Sequence, residues 1–93
     1  MRIETNQTFP AGGGVDHHIV EFKTERPLSE DEACNLFAAL GFHSEQCFHF
    51  DAKMSHPVKA EISVNRGLLN NFLYVTGEST FAYLTKTFID SLP

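Results

Sequence analysis

Alternation of apolar and polar positions predicts most of the strands in this chain. Between Val58 and Asn65, apolar residues occupy every second position, which is the pattern of a half-buried strand. His18 to Lys23 and Gln46 to Asp51 alternate in the same way, and residues 2–9 alternate more weakly. Leu69 to Thr76 is apolar on both faces, which is typical of a strand that is central or that contacts something on its second face.

Two stretches with helical spacing of apolar residues predict α-helices. Ser29 and Glu32 have the spacing of a capping box, in which each side chain accepts a hydrogen bond from the other residue's backbone N–H. Gly41 favours the end of this first helix, and Ser79 is the expected N-cap of the second. The apolar stripes are Ala33, Leu36, Phe37 and Leu40 in the first helix, and Phe81, Leu84, Phe88 and Leu92, flanked by Thr85 and Ile89, in the second.

The order of these elements predicts the fold class. Pro10–Gly14, Lys53–Pro57 and Asn65–Gly67 are predicted to be loops or turns, so the order is (β)-β-α-β-β-β-α. Two amphipathic helices must cover a sheet, which predicts an α+β two-layer sandwich with both helices on one face of a mainly antiparallel sheet. We expect one domain over residues 1–93, in which residues 1–16 form a weakly patterned N-terminal strand and a Gly-rich loop.

The second face of this sheet is the most informative candidate site. The helix-covered face is predicted to carry Val20, Phe22, Phe48, Phe50, Ile62 and Leu73, and the other face Glu21, Cys47, His49, Glu61, Ser63, Phe72 and Tyr74. Aromatic residues among polar ones are typical of protein interfaces. We therefore predict that Phe72, Tyr74, Glu61 and His49 bind a partner protein or a second copy. The alternative is that residues 1–16 fold over the two aromatic side chains.

Composition and charge narrow the classes of function. Nine Phe residues and a hydrophobic content of 42% are enough for a folded core. The formal charge of −5 disfavours nucleic acid and anionic membranes as partners, because phosphate groups are bound by clustered cations. No apolar run approaches the roughly 20 residues that span a bilayer, and the N-terminus lacks the pattern of a signal peptide. We expect a cytoplasmic protein with two free cysteines, Cys34 and Cys47.

The last two-thirds of the chain resembles a known RNA-binding family. From residue 29 onward the order α-β-β-β-α is similar to that of the double-stranded-RNA-binding domain, and His56-Pro57 is similar to that family's histidine-bearing loop. The family opens its last helix with a lysine cluster, whereas residues 77–82 here contain no lysine. The resemblance therefore implies a similar order of elements and transfers no RNA-binding residue.

Several smaller groups of residues could carry chemistry. His43, Cys47, His49 and Asp51 have the ligand types of a zinc site, although solvent-facing positions on a strand also explain them. Cys47 with His49 could form a nucleophile pair, but no orienting group or oxyanion hole is evident. Gly12–Gly14 could suggest a phosphate loop, but a strand follows it where such loops need a helix. The acidic run Glu30–Glu32 is explained by its place at a helix start.

These features favour a protein that acts by binding. We expect a non-catalytic protein-binding module without a cofactor, similar in size and charge to inhibitor and immunity-type proteins. The alternative is a small metal-binding or thiol-dependent protein centred on Cys47 and His49.

Overall fold

One five-stranded antiparallel sheet, with both helices on one face, organises the protein. A computed structural model describes residues 1–12, 16–42, 51–56, 59–65 and 71–93. The strands lie side by side in the order β1-β2-β5-β4-β3. This confirms the predicted α+β class and the predicted order of elements. The elements are β1 (Ile3–Pro10), β2 (His17–Thr24), α1 (Glu30–Ala39), β3 (Asp51–His56), β4 (Ala60–Asn65), β5 (Phe72–Glu78) and α2 (Ser79–Asp90).

A row of buried side chains crosses four strands and forms the sheet half of the core. Met54 pairs with Ile62, Ile62 with Val75, and Val75 with Val20, and each is at most 9% exposed. The prediction that Ala60, Ile62 and Val64 point toward the helices is confirmed by their burial, while Val58 lies outside the described residues. The helices contribute Ala33, Leu36, Phe37, Thr85 and Ile89 to the same core.

The start of α1 is the local structure that the sequence predicts best. The backbone N–H of Glu32 donates to Ser29 Oγ at 3.2 Å, and the backbone N–H of Ser29 donates to Glu32 Oε1 at 2.9 Å. Arg26 forms two hydrogen bonds to the same carboxylate, at 2.6 and 2.8 Å. Together these hydrogen bonds lower the pKa of Glu32 to about 2, and those from Arg26 have the largest effect. The helix ends before Gly41, whose φ of +78° suits a residue without a side chain.

The predicted turn at Lys53–Pro57 is wrong for most of its length. Residues 51–56 form β3, which pairs with β4 along its whole length. The observed turn comes after β3, where the backbone N–H of Lys59 donates to the carbonyl of His56 at 3.1 Å. The sequence pattern misled because His56 occupies an apolar setting, with its ring centroid 5.2 Å from that of Phe42 and 5.0 Å from that of Phe81. The predicted strand at residues 46–51 lies outside the described residues except for Asp51.

Two details of α2 also differ from the prediction. The N-cap is Glu78, which makes no side-chain capping bond, and the Ser79 hydroxyl instead donates to Asp16 Oδ2 at 2.9 Å. The most buried residues are Thr85 and Ile89, whereas Leu84 is 40% exposed. Thr85 fits the core because its hydroxyl donates to the carbonyl of Phe81 at 2.7 Å, which satisfies its polar group inside the helix.

The N-terminal segment joins the sheet as an edge strand. β1 pairs with β2 along its length, so β2 separates it from β5. Ile3 is buried, and every later residue of β1 is exposed. This strand therefore extends the sheet sideways rather than crossing the aromatic residues of β5. No helix among the described residues is long and apolar enough to cross a membrane.

Candidate partner-binding surface

The surface of interest is the sheet face opposite the helices, called the open face below. Side chains two residues apart on a strand point the same way, so the strand register places its members on adjacent strands. Tyr74 of β5 lies opposite Glu21 of β2 and opposite Ser63 of β4. The open face includes Glu4, Gln7, Phe9, Ile19, Glu21, Lys23, Ser55, Glu61, Ser63, Phe72, Tyr74 and Thr76.

Three predicted site residues share this face. Phe72 and Tyr74 are neighbours along β5, and both are half-buried. Glu61 lies on β4 opposite Thr76, one position beyond Tyr74 on the same face. The structure therefore places the predicted aromatic pair and this carboxylate on two adjacent strands. His49, the fourth predicted member, lies outside the described residues.

A carboxylate at the centre of the face holds Tyr74 in place. The Tyr74 hydroxyl donates a hydrogen bond to Glu21, which lies directly opposite on β2. Glu21 is 8% exposed, and it also accepts from the side-chain amides of Asn6 and Gln7. The hydroxyl of Tyr74 is thus engaged within the protein, which leaves its half-buried ring as the part of the side chain that contributes to the surface.

These hydrogen bonds shift the pKa values of both groups. The bond from Tyr74, with the amides of Asn6 and Gln7, lowers the pKa of Glu21 despite its partial burial. The same bond, assisted by burial, raises the pKa of Tyr74. Because donors surround the carboxylate, Glu21 stays ionised and carries a fixed negative charge on the open face.

An irregularity in β1 explains how two adjacent residues reach one carboxylate. Successive side chains of a regular strand point to opposite faces, so Asn6 and Gln7 would not both face Glu21. The register of β1 against β2 shifts between Thr5 and Gln7, and such a bulge brings an extra residue opposite one partner. This link was missed from the sequence, because no residue pattern marks the bulge.

The structure adds two apolar residues that the predicted site lacked. Phe9 lies opposite Ile19 at the β1–β2 end of the face, and Phe9 is 43% exposed. The sequence had suggested Phe9 only as one of residues 1–16, the alternative cover of the two aromatic side chains. It contributes instead to an apolar area on the far side of Glu21 from Phe72.

Metal ligation is not supported by the described part of the chain. There, no group of three or more His, Cys, Asp or Glu residues is arranged to hold an ion. His43, Cys47 and His49 lie outside the described residues, so the predicted metal or thiol site stays a prediction. Cys34 is half-buried and packs against the core.

Comparison of the chain with protein-family models, curated proteins and solved structures gave no match. The likeness to the double-stranded-RNA-binding domain is therefore limited to the order of elements from α1 to α2.

Proposed function

We propose that this protein is a small, non-catalytic binding module of the cytoplasm that docks on a partner protein through the open face. The observation that supports this most strongly is the asymmetry of β5. Its residues Leu73 and Val75 are buried against the helices, whereas Phe72 and Tyr74 point to the face on which neither helix packs. Clustered apolar side chains on a protein surface often mark interaction sites, and aromatic residues are enriched in interfaces.

The charge of this face favours a basic partner. Glu21 and Glu61 lie beside the aromatic residues and, with Glu4, outnumber Lys23, which lies opposite Phe72, and the chain carries a formal charge of −5. A second copy would bring these carboxylates toward their own equivalents, and like charges brought together across an interface oppose binding. A partner with an apolar centre and a basic rim would complement the face. Inhibition of that partner, as by immunity-type proteins, is the mode of action that we propose.

Pre-organisation also suits a docking role. The bond between Tyr74 and Glu21 links the central strand to β2, and the amides of Asn6 and Gln7 extend the link to the edge strand. A side chain that is already fixed loses less conformational entropy on binding. Tyrosines held in this way are frequent hot spots of interfaces.

The chain contains its own matched control for a test. Its two tyrosines, Tyr74 and Tyr83, lie on opposite sides of the molecule, because Tyr83 is on α2 and is 71% exposed. Tyr74→Ser and Tyr83→Ser make the same chemical change on the open face and on the helical side. A protein captured from the native host with the wild-type chain would be purified, and its dissociation constant measured with both variants.

The proposal predicts a large difference between the two variants. Tyr74→Ser should weaken binding by about 30-fold or more, equivalent to a loss of about 2 kcal/mol. Tyr83→Ser should leave affinity within about twofold, and added salt should weaken the wild-type complex. Equal affinities for the two variants would refute docking through the open face. Sedimentation showing a wild-type dimer that Tyr74→Ser dissociates would replace the basic partner with a second copy.

A further inference from the structure

Glu21 is a nearly buried carboxylate whose hydrogen-bond donors in the described part of the chain are all neutral. It is 8% exposed, and it accepts from the hydroxyl of Tyr74 and from the side-chain amides of Asn6 and Gln7. It belongs to none of the ion pairs found among the described residues. Carboxylates with so little exposure are usually paired with a positive group. The missing positive charge points to a cation supplied by a partner.

One side of this carboxylate is covered by β1. Neither helix packs on the open face, so the low exposure of Glu21 comes from side chains of the two neighbouring strands. Tyr74 lies on the β5 side, and Asn6 and Gln7 lie on the β1 side, where the Gln7 amide donates at 3.1 Å. Removal of β1 would leave the bond from Tyr74 in place and open the rest of the carboxylate.

β1 is buried far less than the strands beside it. Ile3 is its one buried residue, whereas β2 and β5 each bury several side chains. Among the described strands it pairs with β2 alone. Elements with few buried apolar contacts open while the rest of a protein stays folded. When β1 opens, β2 becomes the edge of the sheet and presents Glu21.

The outer edge of β1 is poorly suited to an added strand. The N–H of Ala11 donates to the carbonyl of His17 at 3.0 Å, and backbone groups alternate in direction along a strand. Pro10 therefore faces outward, where it supplies no N–H. The bulge between Thr5 and Gln7 further interrupts a regular ladder. Since proline and bulges block strand addition, a partner strand fits in the place of β1 better than beside it.

We propose that β1 is a displaceable strand, and that a partner replaces it with an extended segment carrying a Lys or Arg opposite Glu21. Gln7 occupies that position in the chain itself, and Phe9 lies two residues later opposite Ile19. The segment would therefore present a cation followed, two residues later, by an apolar side chain. Main-chain hydrogen bonds to β2 would supply affinity, and the cation would supply specificity. This goes beyond docking through the open face, because it needs no contact with Phe72 or Tyr74.

Hydrogen exchange of the wild-type protein tests whether β1 opens by itself. The N–H of Thr24 donates to the carbonyl of Asn71 at 2.9 Å, on the β5 side, so the amides of Val20 and Phe22 also face β5. The amide of Phe9 faces β2. Its protection should be at least about 100-fold lower than theirs. Equal protection would overturn the proposal, because β1 would then open only when the whole sheet unfolds.

A lysine placed in β1 tests the charge of Glu21 without any partner. Gln7→Lys sets an ammonium group opposite the carboxylate, so the protection of the Phe9 amide should rise at least about fivefold. The control Thr8→Lys adds the same charge at an exposed neighbouring position that faces the other side of the sheet. It should leave protection within about twofold, and Glu21→Gln should remove the gain from Gln7→Lys. No gain, or an equal gain in Thr8→Lys, would refute the cation site.

A synthetic peptide tests the replacement of β1 in the full chain. Ile3→Ala removes the one buried side chain of β1 and should loosen that strand while the sheet stays folded. A peptide with the sequence of residues 1–11 and the change Gln7→Lys should then bind, with saturable NMR shifts at Ile19 and Glu21. The peptide of native sequence should bind at least about fivefold more weakly, and Glu21→Gln in the protein should remove this difference.

Three results of the peptide experiment would overturn the proposal. Global unfolding of Ile3→Ala would show that β1 is an inseparable part of the fold. No binding of the lysine peptide at millimolar concentration, the range at which a tethered strand competes, would exclude replacement. Equal affinities for the two peptides would exclude a cation at Glu21. None of these results bears on the contacts of Tyr74, so docking through the open face would still be decided by Tyr74→Ser.

Discussion

The two faces of the central strand β5 differ in how their side chains are satisfied. On the helix-covered face, Leu73 and Val75 are at most 2% exposed and belong to the hydrophobic core. On the open face, Tyr74 combines an aromatic ring with a hydrogen bond to a carboxylate. The covered face stabilises the fold mainly through the burial of apolar side chains. The open face carries charge and a tyrosine that is already held by a hydrogen bond, which suits recognition.

The largest expected difference between the faces is in the free energy of unfolding. Phe22 is 1% exposed and lies opposite Leu73 on the covered face. Phe22→Ala should lower the free energy of unfolding by about 3–5 kcal/mol. Phe72→Ala, on the open face of the next strand, should cost less than half as much because Phe72 is only half-buried. Urea denaturation measures both values, and equal losses would contradict the division between the faces.

A second substitution tests how tightly β5 approaches β4. Gly77→Ala combines a positive φ with a contact of 2.9 Å to Ala60, so we expect a loss of about 1–3 kcal/mol in unfolding free energy. Thermal denaturation gives the change. An unaltered melting temperature would mean that the end of β5 relaxes without disturbing the sheet.

A third substitution tests the N-terminal cap of α1, one of the two helices that cover the sheet. Ser29→Ala removes the hydroxyl that accepts from the backbone N–H of Glu32. The expected cost is about 1 kcal/mol, with no effect on partner binding because α1 covers the other face. Ser29→Thr preserves the acceptor and serves as the control. If both variants unfold alike, the cap contributes little to stability.

The smallest expected effect on stability is on the open face itself. Glu21→Gln keeps a hydrogen-bond acceptor for Tyr74 and removes the charge, so stability should fall by less than about 1 kcal/mol. Because the carboxylate is the main cause of the raised pKa of Tyr74, that pKa should fall toward its ordinary value. Ultraviolet titration of phenolate formation measures this, and Tyr83→Phe leaves Tyr74 as the single tyrosine observed. A Tyr74 pKa that does not move would refute the bond to Glu21.

The fold was predictable where short-range patterns decide it. The capping box at Ser29 and the alternation before Asn65 each need only a few neighbouring residues, and both predictions were confirmed. The turn predicted at Lys53–Pro57, where the structure has most of β3, shows the limit of this approach. The last residue of β3 is His56, whose surroundings are apolar because Phe42, which follows α1, and Phe81 of α2 pack against its ring.

The open face was predictable only where the pattern within a single strand decides it. Period-two alternation was enough to place Phe72 and Tyr74 together. The bond to Glu21 depends on the register between β2 and β5, and the amides of Asn6 and Gln7 depend on a bulge in β1. Both are set by pairing between distant segments, on which local patterns bear little.

Docking of a partner through the open face is tested most directly by comparing the two tyrosines in the complex. Hydroxyl-radical footprinting of the wild-type protein, alone and bound to its purified partner, reports the solvent exposure of each ring without any substitution. Docking through the open face predicts that oxidation of Tyr74 falls several-fold on binding while that of Tyr83 is unchanged. Protection of Tyr83 with no change at Tyr74 would place the partner on the helical side and contradict docking through the open face.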